Sequence, residues 1–389
     1  MKLGIVGKPN VGKSTFFRCI SDVKAEVGSY PFTTVDPNTG IGYVRVECAC
    51  NRLETGCDAD RCHGGKRFVP VNVSDVAGLV PGAAEGRGMG NEFLDSVREA
   101  DVLIHVLDVS GRTDEKGEPT EDYDVSKDVE FVENEFDSWM LSLVQDRWDE
   151  LLKGMRSSDL QPEQVIAEKF SGLGIGRREV GSALDADRSE MEDWGEEELE
   201  GFVKELRQEA KPVLYACNKV DVPSSEDNLE RLREEFPERT FVPMSAQAEL
   251  TLQGAEDQGK VEYVSGDNGF KVIGKLTGEQ EEGLEHVEAL IDRHGGTGVQ
   301  RVLQDAVFDL LDMIVVYPVE DTGSYEDQHS NVLPDAVLLP SGSTPLDLAR
   351  EIHSDIAEGY AKAVDAESGR AIGKETELEG GQIVKIETG

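Results

Sequence analysis

The run Gly7-Lys8-Pro9-Asn10-Val11-Gly12-Lys13-Ser14 has the form G-x-x-x-x-G-K-[ST]. Such a loop turns several backbone N–H groups inward on one phosphate chain, at the positive end of the helix that follows. Gly7 and Gly12 permit the turn, Lys13 would reach the β- and γ-phosphates, and the Ser14 hydroxyl would ligate Mg²⁺. Pro9, Asn10, Val11 and Thr15 complete the predicted cradle. A second constellation, Asn218-Lys219-Val220-Asp221, has the chemistry to read a base. The Asp221 carboxylate can accept from the N1–H and the 2-amino group of guanine. Adenine offers neither donor, and a polar site that loses its partners discriminates by about 10⁴ or more. Asn218 can bond the base and brace the phosphate loop, while the Lys219 stem covers one base face. Ser245-Ala246 would turn a backbone N–H toward the guanine O6. The ligand these residues imply is GTP with Mg²⁺.

Two further segments fit a γ-phosphate sensor. Asp75-Val76-Ala77-Gly78 ends an apolar run; Asp75 would hold Mg²⁺ through water, and the Gly78 N–H would meet the γ-phosphate. Tyr30-Pro31-Phe32-Thr33-Thr34 supplies hydroxyls, of which Thr34 is the expected Mg²⁺ ligand while the γ-phosphate is present. Hydrolysis would take away the phosphate that holds this loop and so release it, an order–disorder switch. Lys13, Thr34, Gly78 and Asn10 are the residues assigned to the hydrolytic step.

These loops need strands and helices to aim them. Lys2–Val6, Phe68–Val73, Val102–Asp108, Pro212–Cys217 and Thr240–Met244 read as short buried strands, and Thr15–Ile20 as a helix. The fold class expected is α/β, a P-loop NTPase with a mostly parallel sheet and helices on both faces. The nucleotide domain is expected over 1–117 and 211–311, with a helical insertion at 118–210. In that insertion Phe131, Val132, Phe136, Trp139, Met140, Leu143, Leu151 and Leu152 share one face of a helix. Leu199, Phe202, Val203 and Leu206 mark a second helix, and Gly172–Gly176 a break between them. Residues 249–298 carry mixed signals and receive no assignment, whereas Val299–Leu311 reads as a helix. From Met313 the texture changes to Ile314–Tyr317 and Ala336–Leu339 strands, a helix over Pro345–Ala357 begun by Ser343-Thr344-Pro345, and a strand at Ile383–Ile386. His105 lies inside a strand and reads as a hydrogen-bonded core residue, not a catalytic base.

The chain has 79 acidic and 39 basic residues, a formal charge of −40 over 389 residues. Its apolar content is ordinary, so the excess charge belongs on the surface, where concentrated salt would screen it. We read a salt-rich, halophilic, K⁺-containing cytoplasm. No apolar run approaches the ~20 residues that cross a bilayer, so a cytoplasmic location without membrane contact is expected. No basic stripe for nucleic acid is visible; from Val315 onward fifteen acidic residues face five basic ones. Cys19 and Cys217 fall on core elements. Cys48, Cys50, Cys57 and Cys62 crowd one loop beside His63, spaced C-x-C-x₆-C-x₄-C-H. Inside a cell such a cluster points to metal before disulfides. Four thiolates, or three plus His63, could hold Zn²⁺; reduced, unliganded thiols are the alternative.

G-K-P-N-V-G-K-S, Y-P-F-T-T, D-V-A-G-L-V-P-G and G-R-G-M-G-N-E-F-L together resemble the Obg family of GTPases, in its YchF-like archaeal branch, along essentially the whole chain. Leu338-Leu339-Pro340-Ser341-Gly342-Ser343-Thr344 resembles a TGS domain, a small β-grasp module, and assigns 313–389 to it. The resemblance implies GTP hydrolysis and a partner in translation, the ribosome or a component of it. Bacterial YchF proteins are similar but carry a degraded base box and prefer ATP; the intact Asn218–Asp221 box argues against carrying that preference over. Leu79 stands where Ras-type enzymes place a water-orienting Gln, so slow hydrolysis is expected. In related GTPases an Asn at the position of Asn10 helps to hold K⁺, and the resemblance implies K⁺ stimulation here. Two alternatives to a GTPase switch remain: a nucleotide-sensing module with negligible turnover, and an ATPase like the bacterial relatives.

Overall fold

The computed structural model describes residues 1–21, 39–75, 98–157, 160–186 and 191–389. Tyr30–Thr34, Val76–Leu79 and the G-R-G-M-G-N-E-F-L run lie outside the described residues. A seven-stranded sheet forms the centre: β1 (Lys2–Val6), β2 (Thr39–Glu47), β3 (Cys62–His63), β4 (Lys66–Asp75), β5 (Val102–Asp108), β6 (Val213–Asn218) and β7 (Phe241–Pro243). Its order is β2-β4-β1-β5-β6-β7, with β3 added to β4. From β4 to β7 every pairing is parallel; β2 and β3 run antiparallel to β4. All seven residues of β5 are buried, as a strand with neighbours on both edges and layers on both faces must be. Helix α1 (Lys13–Ser21) leaves the phosphate loop and buries Phe16, Cys19 and Ile20.

The long insertion holds more helices than the apolar stripes reveal. A short α2 (Ala49–Leu53) precedes it, and α3 (Ser126–Gln145), α4 (Trp148–Ser157), α5 (Pro162–Phe170), α6 (Arg177–Ala186) and α7 (Glu196–Ala210) build it. The single helix expected from Phe131 to Leu152 is two, with the chain turning at Asp146-Arg147. Val144 and Leu151, on either side of the corner, are both fully buried in one cluster, so the stripe continues where the helix does not. Leu199, Phe202, Val203 and Leu206 are buried as read. Gly174, at φ 72°, lies inside the expected break and ends the short turn Ser171–Leu173. Val132 and Phe136 of α3 pack under β1 and β5 with Val6, Ala100 and Leu103, whereas Met140 and Val144 face the insertion's own core. On this packing we propose to keep the partition into a nucleotide domain, an inserted helical unit at 118–210 and a tail at 313–389.

Helix α8 (Ser225–Glu235) precedes the unassigned stretch, which holds most of α9 (Ala246–Asp257), a small hairpin of β8 (Val261–Glu262) and β9 (Lys271–Val272), and α10 (Gly278–His294). The last is delimited by a reciprocal cap, Thr277 with Gln280, and by Gly295. The helix expected over Val299–Leu311 is α-helical at α11 (Val299–Gln304) and then widens to a π turn over Asp305–Leu310. The tail is a five-stranded sheet of order β11-β10-β14-β12-β13, from β10 (Met313–Val319), β11 (Val337–Pro340), β12 (Tyr360–Asp365), β13 (Ala371–Ile372) and β14 (Ile383–Thr388). The expected Pro345–Ala357 helix is split into α12 (Pro345–Ile352) and α13 (Ser354–Glu358). Alternation along β10 divides its duties. Val316 joins the tail's own core with Leu339, Leu348 and Val384, whereas Val315, Tyr317 and Val319 join the core of the nucleotide domain.

Candidate functional site

The parallel register brings the carboxyl ends of five strands to one edge: Ile5 pairs with Asp75, Val6 with His105, Asp108 with Asn218, and Cys217 with Pro243. Ligands of open α/β sheets bind in the crevice beyond such ends. The predicted phosphate loop leaves β1 here and enters α1. A Cβ on Gly12, at φ 102°, would lie 2.2 Å from Asn218 Nδ2, so the loop passes the base strand closer than any side chain permits. Lys13 arches over the loop, its Nζ donating to Gly7 O and Lys8 O at 2.8 Å each. Burial lowers its pKa and the charge of Asp75 only partly offsets that. Asp75 is shifted up by the same desolvation, with Lys13 pulling it back. A phosphate chain would favour the charged form of Lys13, and a divalent cation that of Asp75. Ser14 is exposed at the mouth of α1, where its hydroxyl is open to an ion.

Asn10 adopts φ 63° and donates from Nδ2 to Gly117 O at 3.0 Å, which leaves Oδ1, the atom a cation would use. Gly117 must itself be glycine: at φ 78° its Cβ would meet Pro9 O at 2.4 Å. The 108–117 loop and Lys8 were not among the sequence-predicted site residues. Lys8 is buried, ion-pairs with Asp128 of α3 at 2.7 Å, donates to Thr113 O at 2.9 Å and lies 3.8 Å above the Tyr123 ring. Tyr123 in turn donates its OH to Asp128 at 2.9 Å. His105 is fully enclosed with its ring against Tyr215, as a core residue should be, but its Nδ1 has no hydrogen-bond partner among the described residues. Burial, then Lys13 and Lys8, push its pKa down to about 3, so it stays neutral.

On the base side, Asn218 donates from Nδ2 to Val11 O at 2.7 Å and accepts at Oδ1 from Ala246 N at 3.1 Å. The brace on the phosphate loop is thus present. Of the two backbone N–H groups that Ser245-Ala246 could turn toward the guanine O6, that of Ala246 is satisfied by Asn218, because α9 begins at Ala246 and its first N–H lies within reach of that amide. Lys219, at φ 69°, donates from Nζ to Asn10 O at 3.1 Å and to Asp108 Oδ2 at 2.8 Å, so its head group ties the phosphate loop to the end of β5. Asp221 is exposed, and one oxygen accepts from Ser245 Oγ at 2.6 Å. The other stays open to a base edge. Behind Ser245, Thr297 O accepts its N–H at 2.8 Å, and the enclosed Glu249 accepts from Tyr263 OH at 2.7 Å and Thr297 Oγ1 at 2.5 Å. Glu249 and Thr297 support the base loop from the stretch that carried no assignment.

Away from this cleft, the Sγ atoms of Cys48, Cys50, Cys57 and Cys62 all lie within 4.8 Å of one another. His63 is not among them. Adjacent residues of a strand point to opposite faces, so with Cys62 turned inward His63 is exposed, tilted against Phe68. The Cys62 thiol, with the Arg67 guanidinium also nearby, pulls Cys48 down to about 4, and burial pushes Cys50 up to about 11. Among the described residues no helix is long and apolar enough to cross a membrane.

Three family models match consecutive parts of the chain: a 50S ribosome-binding GTPase at residues 2–135, the G4 motif-containing domain of an Obg-like, YGR210-like GTPase at 216–321, and a TGS domain at 330–388. An uncharacterized GTP-binding protein of Methanocaldococcus jannaschii is 43% identical over 99% of this chain and 98% of its own. The crystal structure of a GTP-binding protein from Pyrococcus horikoshii superposes with a TM-score of 0.77 at 35% identity, covering 100% of both chains. The ribosome-binding ATPase YchF of Bacillus subtilis is 30% identical over 73% of each chain.

Proposed function

Since the chain belongs to the YchF-like branch of the Obg-like GTPases, we propose that it is a guanine-selective switch that hydrolyses GTP slowly and acts on a translation component. The observation that carries the base assignment is Asp221, held at one oxygen by Ser245 and open at the other. A carboxylate so fixed suits two donors on one base edge, which guanine has and adenine lacks. The ATPase name of the Bacillus relative favours the other base. Against it stands the intact box in this chain, with each of its three polar side chains held in place.

The groups present fit a nucleotide and its metal. Lys13 and the N–H groups of Gly7, Asn10, Val11, Gly12, Ser14 and Thr15 would hold the phosphates, with Pro9 shaping the turn, and Lys219 and Asp221 would hold the base, with Asn218, Ser245 and Ala246 bracing them. Ser14, Asp75 and Thr34 would hold Mg²⁺, which supplies charge neutralisation between the outer phosphates. Gly78 and Thr34 are proposed as the γ-phosphate sensors. Asn10, with Nδ2 anchored on Gly117, would offer Oδ1 to K⁺ beside the phosphates. The partner is proposed as the ribosome, because the Bacillus relative is named for binding it.

Leu79 favours a second reading, a nucleotide sensor without turnover, since a leucine side chain cannot orient water. Single-turnover hydrolysis separates the two. In molar KCl the switch converts bound GTP to GDP, faster with ribosomes and several-fold slower in NaCl of equal ionic strength. A sensor leaves GTP intact in every mixture, and equal rates in the two salts remove Asn10 from ion binding.

A further inference from the structure

We propose that Cys48, Cys50, Cys57 and Cys62 form a mononuclear four-thiolate zinc site that locks the hairpin between the two switch segments onto the C-terminal domain. The first half of this rests on spacing. Zinc binds thiolates at about 2.3 Å in a tetrahedron, whose edge is then about 3.8 Å. The Cys50–Cys62 and Cys48–Cys57 sulfurs stand 3.8 and 3.9 Å apart, and no pair exceeds 4.8 Å. A disulfide would need about 2.05 Å between two of them and leave no reason for the other pair to converge. Four sulfurs around one point, from two turns of chain, are the geometry of a single soft divalent cation.

Its surroundings suit the charge. Four thiolates on Zn²⁺ carry a net charge of −2, and the buried Arg67 guanidinium sits against them, its Nη2 3.3 Å from Cys57 Sγ and 3.7 Å from Cys48 Sγ. Arg67 would thus be the outer partner that metal–thiolate centres require.

The same guanidinium reaches the C-terminal side. It donates to Pro334 O at 2.9 Å and to Leu333 O, and lies over the Tyr317 ring. Asp58, next to Cys57, exchanges two hydrogen bonds with Val332, N–H to O at 3.0 Å and Oδ2 from N–H at 2.8 Å. Arg52, between the first and second cysteine pairs, pairs with Glu367 and donates to Gly381 O at 3.1 Å. The loop that carries the sulfurs is therefore the seat of the C-terminal domain. That loop is also the closed end of the β2–β4 hairpin, which pairs without interruption from Glu47↔Lys66 to Thr39↔Ser74. The open end, about 30 Å away, is Thr39 and Asp75, five residues after Thr34 and three before Gly78 in the chain. A zinc at the closed end makes hairpin and C-terminal domain one rigid lever. The staple stands independently of the nucleotide reading; only its link to the switches rests on it.

The full chain, purified without a His-tag, is analysed for metal by mass spectrometry. The proposal expects one zinc per chain, four thiols shielded from a thiol reagent until the zinc is chelated, and, after Co²⁺ exchange, the intense visible bands of tetrahedral cobalt thiolate. Hydrogen exchange is then compared for loaded and chelated protein. Residues 325–335 and β2–β4 should exchange about tenfold faster or more without metal, and α10 should not change. Cys57→Ser should reproduce the chelated state; chelation of the unsubstituted chain decides the matter if that variant does not fold. Four freely reactive thiols without metal, two disulfides by mass, or an octahedral cobalt spectrum would overturn the site. A full equivalent of zinc whose removal leaves 325–335 unchanged would overturn the staple.

Discussion

Asn218 holds the Val11 carbonyl at 2.7 Å, so the strand that presents the base box and the loop that presents the phosphates are tied by one buried amide. The other end of that amide accepts from Ala246, at the start of α9. Three loops of the site thus share one side chain. Asn218→Ala strands a buried carbonyl and a buried N–H at about 1–3 kcal/mol each. Nucleotide affinity, followed by fluorescence of a labelled guanine nucleotide, should fall by about 10–100-fold, with the melting temperature also reduced. Unchanged affinity would mean the three loops are positioned by something else.

The Lys8–Asp128 pair does comparable work on the far side of the phosphate loop. Both groups are buried, and Asp128 is supplied by the first long helix of the insertion. Among the described residues, Asp128→Ala leaves the buried ammonium with only Thr113 O and the Tyr123 ring, which costs about 3–5 kcal/mol. Chemical denaturation should register that loss. Lys8→Met with Asp128→Leu should recover most of it, since replacing both partners by apolar groups removes the unpaired charge.

Acid should loosen the contact between α3 and the sheet. Burial alone would raise the Glu133 carboxyl, but hydrogen bonds from Arg239 and Tyr215, with Arg207 nearby, hold it below its ordinary value. A depressed carboxylate contributes stability above its unfolded pKa and loses it as pH falls through the folded one. Stability should therefore drop below the ordinary carboxylate range, and Glu133→Gln should flatten that part of the profile. An identical acid limb in the variant would remove Glu133 from the account.

The features legible in the sequence are those that a few contiguous residues decide. The phosphate loop and the Asn218–Asp221 box work through backbone turns and short side chains, so their spelling nearly determines their geometry. The supports of the site were invisible because they are joined across distance: Lys8 to Asp128, Asn10 to Gly117, Ser245 to Thr297. Apolar periodicity misled at Asp146-Arg147, where the chain turns but Val144 and Leu151 still face one core. Over 249–298 the signal was present but sparse: Leu284, Val287, Leu290 and Ile291 stand at helical spacing and are buried in α10, among mostly charged neighbours. The start of α10 was nonetheless spelled by Thr277 and Gln280, and its end by Gly295. His63 shows the reverse failure: adjacency to Cys62 in the chain made it a candidate ligand, and strand alternation turned it away.

Base selectivity is tested most directly by calorimetric titration of the full chain with non-hydrolysable GTP and ATP analogues, in parallel, at high KCl with Mg²⁺. Asp221 predicts guanine binding tighter by about 10³-fold or more. Asp221→Asn should lose that advantage and gain affinity for the xanthine analogue, whose carbonyl at carbon 2 matches an amide donor. Equal affinities for the adenine and guanine analogues, unmoved by the substitution, would contradict the assignment of this chain as a guanine-nucleotide switch.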